Sequence, residues 1–303
     1  MPRAYPQKPE AVYLFGTCLI DLTYPDAGIA AIRMVEREGV RVIFPQDQTC
    51  CGQPAYNSGF SEEARRVAWQ QVQTFSKPHP ILVPSGSCGG MMSKHYEHLF
   101  HDDPRLPEVQ RFSERIFEWS EFMINVLKVE LEDHGPPIRV TWHTSCHAKR
   151  EMGLGDEPKQ LLRQLRNVEL LELEREYECC GFGGTFAMKY PQISGAMVRD
   201  KVGCIRDTGA EFVISNDSGC TLNLEGTCRR EGLDVRFKSL AEVIAEAGFD
   251  PGKGFKRIGI PDTFTYGVGS QNHHLASHGI TVEAVNTMLS NMLETGKVTV
   301  SNS

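Results

Sequence analysis

Cys50-Cys51-Gly52 and Cys179-Cys180-Gly181 are two adjacent-cysteine pairs set in matching contexts, one in each half of the chain. Working outward from the first pair, 31 residues separate it from Cys18 upstream and 36 from Cys88 downstream. From the second pair, 32 residues intervene before Cys146 upstream and 39 before Cys220 downstream. Matching cysteines are therefore offset by 128, 129 and 132 residues, which is the mark of an internal duplication. Neighbouring side chains of a strand or helix point different ways, so a doublet serves packing poorly. Two thiolates on one tight loop can instead reach a single metal centre. The pattern points to two thiolate-bound sites, and iron–sulfur leads among soft-ligand options.

Each cysteine follows a short apolar run that reads as a buried strand. In the first half these runs are Ala11–Phe15, Val40–Phe44 and Ile81–Pro84. In the second half they are Ile138–Trp142, Val168–Leu173 and Phe212–Ser215. A helix is expected from about Gly28 to Glu38, with Ile29, Ile32, Met34 and Val35 towards the core. Ser61 reads as an N-cap, and Ser239 with Glu242 reads as a capping box. Strands alternating with helices predict an α/β fold of two duplicated halves, each a small parallel sheet flanked by helices. Such sheets bind ligands at the carboxyl ends of their strands, where these cysteines fall. The expected divisions are residues 9–133 for the first half, 137–249 for the second and 250–303 for a C-terminal extension of unknown role. The duplication does not account for that extension, in which residues 281–294 read as an amphipathic helix.

Composition narrows the function further. A chain of 303 residues with 40% hydrophobic content can bury real cores without needing metal to fold. The formal charge of −7 argues against a nucleic-acid partner. No apolar run nears the roughly 18 residues of a membrane span, which leaves room only for peripheral association. Ten cysteines without an apolar leader suggest the reducing cytoplasm, where clustered thiols serve as metal ligands or redox groups. There is no Gly-x-Gly-x-x-Gly after a strand, no Walker A sequence and no Gly-x-Ser-x-Gly elbow. Metal sites without a site for an organic hydride carrier suggest an oxidoreductase subunit that passes electrons and works with partner chains.

Beyond the eight, Cys204 and Cys228 read as core thiols. His143 and His147 flank Cys146; either could tune or bind a metal, but both read first as loop histidines making local hydrogen bonds, while His95, His98 and His101 read as a solvated face. Gly181, Gly183 and Gly184 follow the second doublet, and their amides could donate to cluster sulfurs and hold the cofactor. Four cysteines per site suit an iron–sulfur cluster, [4Fe–4S] before others, and equally suit tetrahedral zinc in one half.

Three stretches carry a resemblance: Tyr13-Leu14-Phe15-Gly16-Thr17-Cys18, Pro84-Ser85-Gly86-Ser87-Cys88 and Cys179-Cys180-Gly181-Phe182-Gly183-Gly184-Thr185-Phe186. With the doubled frame, they make residues 9–249 resemble the CCG-domain, or cysteine-rich, iron–sulfur family. That family includes the cysteine-rich chain of heterodisulfide reductase and the iron–sulfur chain of glycolate oxidase. The resemblance implies one ligand set of Cys18, Cys50, Cys51 and Cys88, and another of Cys146, Cys179, Cys180 and Cys220. Length and local sequence are most similar to the lactate utilisation branch. It implies L-lactate oxidation by a complex with an iron–sulfur partner and a smaller subunit. Alternatives are thiol/disulfide chemistry of the heterodisulfide reductase kind, or a zinc-stapled assembly scaffold. The fullest family pattern ends each half in Cys-x-x-Cys, but Met91 and Asn223 stand at those last positions here. This lowers the case for a five-thiolate, non-cubane cluster.

Overall fold

The computed structural model describes residues 3–248, together with 281–284 and 286–287. Among the described residues, eight strands build two parallel sheets. The first sheet holds β1 (Ala11–Leu14), β2 (Arg41–Ile43), β3 (Ile81–Val83) and β4 (Ile116–Glu118), in the order β2-β1-β3-β4. The second holds β5 (Ile138–Trp142), β6 (Val168–Leu171), β7 (Phe212–Ile214) and β8 (Arg236–Lys238), in the order β6-β5-β7-β8. The two halves thus share one topology. Equivalent backbone bonds recur as well: Phe15 N donates to Leu82 O and His143 N donates to Ile214 O, each at 2.9 Å.

Helices cover the sheets, which is why β1 and β3 are apolar along their whole length. All six expected strands are present, while β4 and β8 add a fourth to each sheet. The expected helix near Gly28 runs over Pro25–Arg37, with Pro25 at its first position. Its buried face is Ala27, Gly28, Ala30, Ala31, Met34 and Val35, and Ile29 is exposed. Small residues win that face because another helix, Leu240–Ala247, packs closely on it. Ser61 is not an N-cap. It is the first residue of the helix Ser61–Thr74, and Phe60 before it supplies no side-chain cap. The Ser239–Glu242 capping box is present, with each side chain meeting the other's backbone amide.

Residues 3–248 lie in one compact unit. Val12, Leu14 and Met34 share an apolar core with Trp119, Val140, Trp142, Leu240 and Ile244, so both sheets contribute to it. Between the halves, buried Asp133 accepts from Gly135 N at 2.9 Å and Asn167 N at 2.6 Å. The chain is therefore pinned where it passes from one half to the next. The expected helix 281–294 lies largely outside the described residues, but Val282, Glu283 and Ala284 are helical.

Candidate metal centre

All eight framed cysteines line a single cleft of about 190 Å³ at the carboxyl ends of the strands. Cys18 follows β1, the doublet Cys50-Cys51 follows β2 and Cys88 follows β3. Cys146, Cys179-Cys180 and Cys220 follow β5, β6 and β7 in the same way. Within the cleft, neighbouring sulfurs fall into two sets. Cys50 lies within sulfur hydrogen-bonding reach of Cys18 and Cys51, and Cys51 lies within reach of Cys88. Cys179 likewise meets Cys146 and Cys180, and the Cys180 and Cys220 sulfurs are 3.1 Å apart. Cys204 and Cys228 sit in the core of the second half.

The electrostatics of the two groups match. Interaction with the Cys18 thiol, and then with the Cys51 thiol, lowers Cys50 to about 3. Bonds from Cys146 and then Cys180 lower Cys179 to about 2. The donors respond in the opposite sense: the contact with Cys50, followed by burial, raises Cys18, and the contact with Cys179, followed by burial, raises Cys146. Four sulfurs this close cannot all ionise unless a cation lies among them. The donor set therefore fits a soft, multiply charged metal centre.

Glycines shape both doublet loops. Gly52 and Gly181 have φ of 84° and 82°, a region that L side chains rarely adopt. Their amides turn back onto the doublets: Gly52 N donates to Cys50 Sγ at 3.5 Å, and Gly181 N donates to Cys179 Sγ at 3.4 Å. Gly183 and Gly184 also have positive φ and line the cleft.

The halves interlock around the site. The helix Gly86–Gly90, which carries Cys88, packs against the π-helical turn Ala148–Met152 that follows Cys146. Reciprocally, the helix Cys18–Thr23 packs against the helix Ser218–Arg230, which carries Cys220. Gly86 has no room for a side chain, since a Cβ there would fall 2.5 Å from Ala148 Cβ and 2.8 Å from Ala148 N.

One polar residue of the site escaped the sequence reading, and a second was read differently. Asp217 is buried and caps the Cys220 helix, its Oδ1 accepting from Gly219 N and Cys220 N. Its Oδ2 crosses to the other half, accepting from Ser87 N at 2.8 Å, and also meets Ser145 Oγ at 3.2 Å. An Asp three residues before a helical cysteine is an N-cap signal that could have found it. The second is His143, which corrects the expectation of a loop histidine with a local bond. It is fully buried, and neither ring nitrogen has a hydrogen-bond partner among the described residues. Burial first, and then the Lys201 ammonium, lower it to about 4, so the ring is neutral at physiological pH. One of its nitrogens and the sulfurs of Cys180 and Cys220 all lie within 4.8 Å of one another. His147 does meet Cys146, with Nδ1 at 3.5 Å from Sγ. His95 departs from the expected solvated face, since it is half-buried and 3.0 Å from Glu151 of the other half.

Comparison with known proteins agrees with this architecture. The cysteine-rich domain, CCG, matches twice, over residues 12–93 and 140–225. The chain is 44% identical over 236 residues to lactate utilization protein A of Geobacillus kaustophilus, covering 77% of this chain and 98% of that one. It is 41% identical, with the same coverage, to lactate utilization protein A of Bacillus subtilis. A crystal structure of a hypothetical protein from Helicobacter pylori shares the fold, with a TM-score of 0.58 at 10% identity. That match covers 82% of this chain and 51% of the other. Among the described residues, no helix is long and apolar enough to cross a membrane. Doubled cysteine frame, doubled sheet topology and these relatives agree: the chain belongs to the CCG cysteine-rich domain family, together with proteins named lactate utilization protein A.

Proposed function

We propose that this chain is a cytoplasmic iron–sulfur electron-transfer subunit of an L-lactate-oxidising system, with one cysteine-ligated centre in each half. The observation that carries the reading is the sorting of eight thiols, four and four, onto one cleft. Cys18, Cys50, Cys51 and Cys88 would hold the first centre, and Cys146, Cys179, Cys180 and Cys220 the second. Four thiolates apiece suit [4Fe–4S] clusters, which when bound supply one-electron exchange. The names of the relatives support lactate as the metabolite served. An iron–sulfur partner and a smaller subunit would complete the complex.

The chain's own residues prepare the sites. Gly52 and Gly181 amides face Cys50 and Cys179, where donors to thiolate sulfur favour the reduced centre. Buried Cys51 and Cys180 keep one side of each site dry, while more exposed Cys18 and Cys146 face the open side. Asp217 ties the Cys88 and Cys220 helices, which holds the two sites in register.

Anaerobic reconstitution with ferrous iron and sulfide tests the reading. The chain should bind iron and sulfide in near-equal amounts and absorb as a cluster protein. Cys51→Ser and Cys180→Ser should each lower both contents by about half. Colourless protein that retains only zinc would overturn the electron-transfer role in favour of a zinc-stapled scaffold.

A further inference from the structure

The two sites match in their thiols but not at the position three residues before the first cysteine. In the first half that position is Phe15, and in the second it is His143. The equivalence is structural, because both backbones make the same bond to the neighbouring strand at the same length. Both side chains are fully buried. Phe15 is at home among Tyr13, Phe75 and Val83. His143 is not. A neutral imidazole has one N–H donor and one lone pair, and here both lack a partner among the described residues. Leaving such groups unmet in a dry interior is costly, whereas a phenyl ring would incur no such cost. One ring nitrogen instead lies beside the sulfurs of Cys180 and Cys220. Asn223, at the position of the family's last cysteine, is already engaged: its Nδ2 donates to Cys180 O at 2.8 Å.

We propose that His143 is the fifth protein donor of the second centre, binding metal through a ring nitrogen beside Cys146, Cys179, Cys180 and Cys220. This rests on the metal-centre reading above and deepens it. The first centre is then held by four thiolates alone. In the second, one metal takes the imidazole as an added ligand beside its thiolate, so that centre is not a plain four-thiolate cube. The imidazole is neutral and leaves the charge of the four thiolates unchanged, so the two centres differ in coordination rather than in charge.

Pulsed electron paramagnetic resonance on the full chain decides this. The chain is labelled with ¹⁵N-histidine, reconstituted with ferrous iron and sulfide, and reduced. One of the two cluster signals should carry a strong ¹⁵N coupling of a directly bound nitrogen. The coupling should survive in Cys51→Ser and vanish in His143→Phe, which puts the first half's own residue in place. His143→Phe should also shift the potential of that signal and leave the other unchanged. Two clusters without bound histidine nitrogen in the unsubstituted chain would overturn the inference while leaving the cluster reading intact. The same holds if the coupling persists in His143→Phe. If the chain takes up no iron and sulfide, the cluster reading fails, and cobalt(II) then tests His143 alone. Cobalt ligand-field bands that shift in His143→Phe support nitrogen ligation, and bands that do not shift overturn it.

Discussion

Glu118 ends β4 with its carboxyl fully buried. Its Oε2 accepts from Ser120 N at 2.7 Å and Glu121 N at 3.2 Å, capping a short helix. Its Oε1 accepts from Asn216 Nδ2 of the other half at 2.8 Å. Burial outweighs these bonds and lifts the carboxyl from 4.5 to about 7. The folded protein therefore holds a proton here that the unfolded chain releases between about pH 4.5 and 7. The contribution to stability is complete below pH 4.5 and is lost as the pH rises towards 7. Its full size is about 3 kcal/mol, of which about 2 kcal/mol falls between pH 5 and 7.5. Glu118→Gln should lose about 1 kcal/mol from the imperfect bond to Asn216 but should not titrate. Urea unfolding of the metal-free chain at both pH values is the check. The stability difference between parent and variant should move by about 2 kcal/mol in favour of the variant at higher pH. A difference that stays fixed would show that Glu118 is charged throughout. Nothing local in Ile116-Phe117-Glu118 announces this burial. It follows from a partner nearly a hundred residues away.

At the scale of elements, short apolar strands were legible because both faces of these parallel sheets are covered, leaving unbroken runs such as Ile81-Leu82-Val83. The two fourth strands were not. β4 is three residues long and ends in a carboxylate, while β8 alternates Arg236, Phe237 and Lys238 along an edge. There Arg236 lies over the Phe212 ring at 4.0 Å, so a charged side chain covers apolar surface and hides the strand from a hydropathy pattern. The glycines before and after Cys88 were visible, but not their reason, which is the approach of the helix from the other half. Gly86→Ala should therefore be destabilising by about 1–3 kcal/mol, because the crowded atoms belong to Ala148 and its backbone rather than to a flexible side chain. As this helix and its neighbour carry Cys88 and Cys146, iron occupancy should fall at both sites together. Gly203→Ala is the control. Gly203 lies inside the helix Pro191–Thr208 with open space around its Cα, so the change should be neutral or stabilising by up to about 1 kcal/mol. Equal melting temperatures for the two variants would refute the close-approach argument.

For the whole molecule, the duplication was readable from cysteine spacing, yet the way the halves join was not. The joining residues are ones that the cysteine frame does not repeat. Trp119 is fully buried beyond β4 and donates from Nε1 to Ala31 O at 3.2 Å. The helix Leu240–Ala247 of the second half closes over Pro25–Arg37 of the first. One apolar core therefore answers to both sheets, and neither half can lose its side of that core without exposing the other's. Such a core predicts a single cooperative transition for residues 3–248. Cys51 and Cys180, each 2% exposed, report on the two halves separately when alkylated in increasing urea and mapped by mass spectrometry. In the metal-free chain their protection should be lost at one common midpoint. Trp119→Ala should cost about 3–5 kcal/mol and move both midpoints down together, although the substitution lies in the first half. Cys180 staying protected in urea that has already exposed Cys51 would mean that the halves fold independently, and that the shared core couples them only weakly.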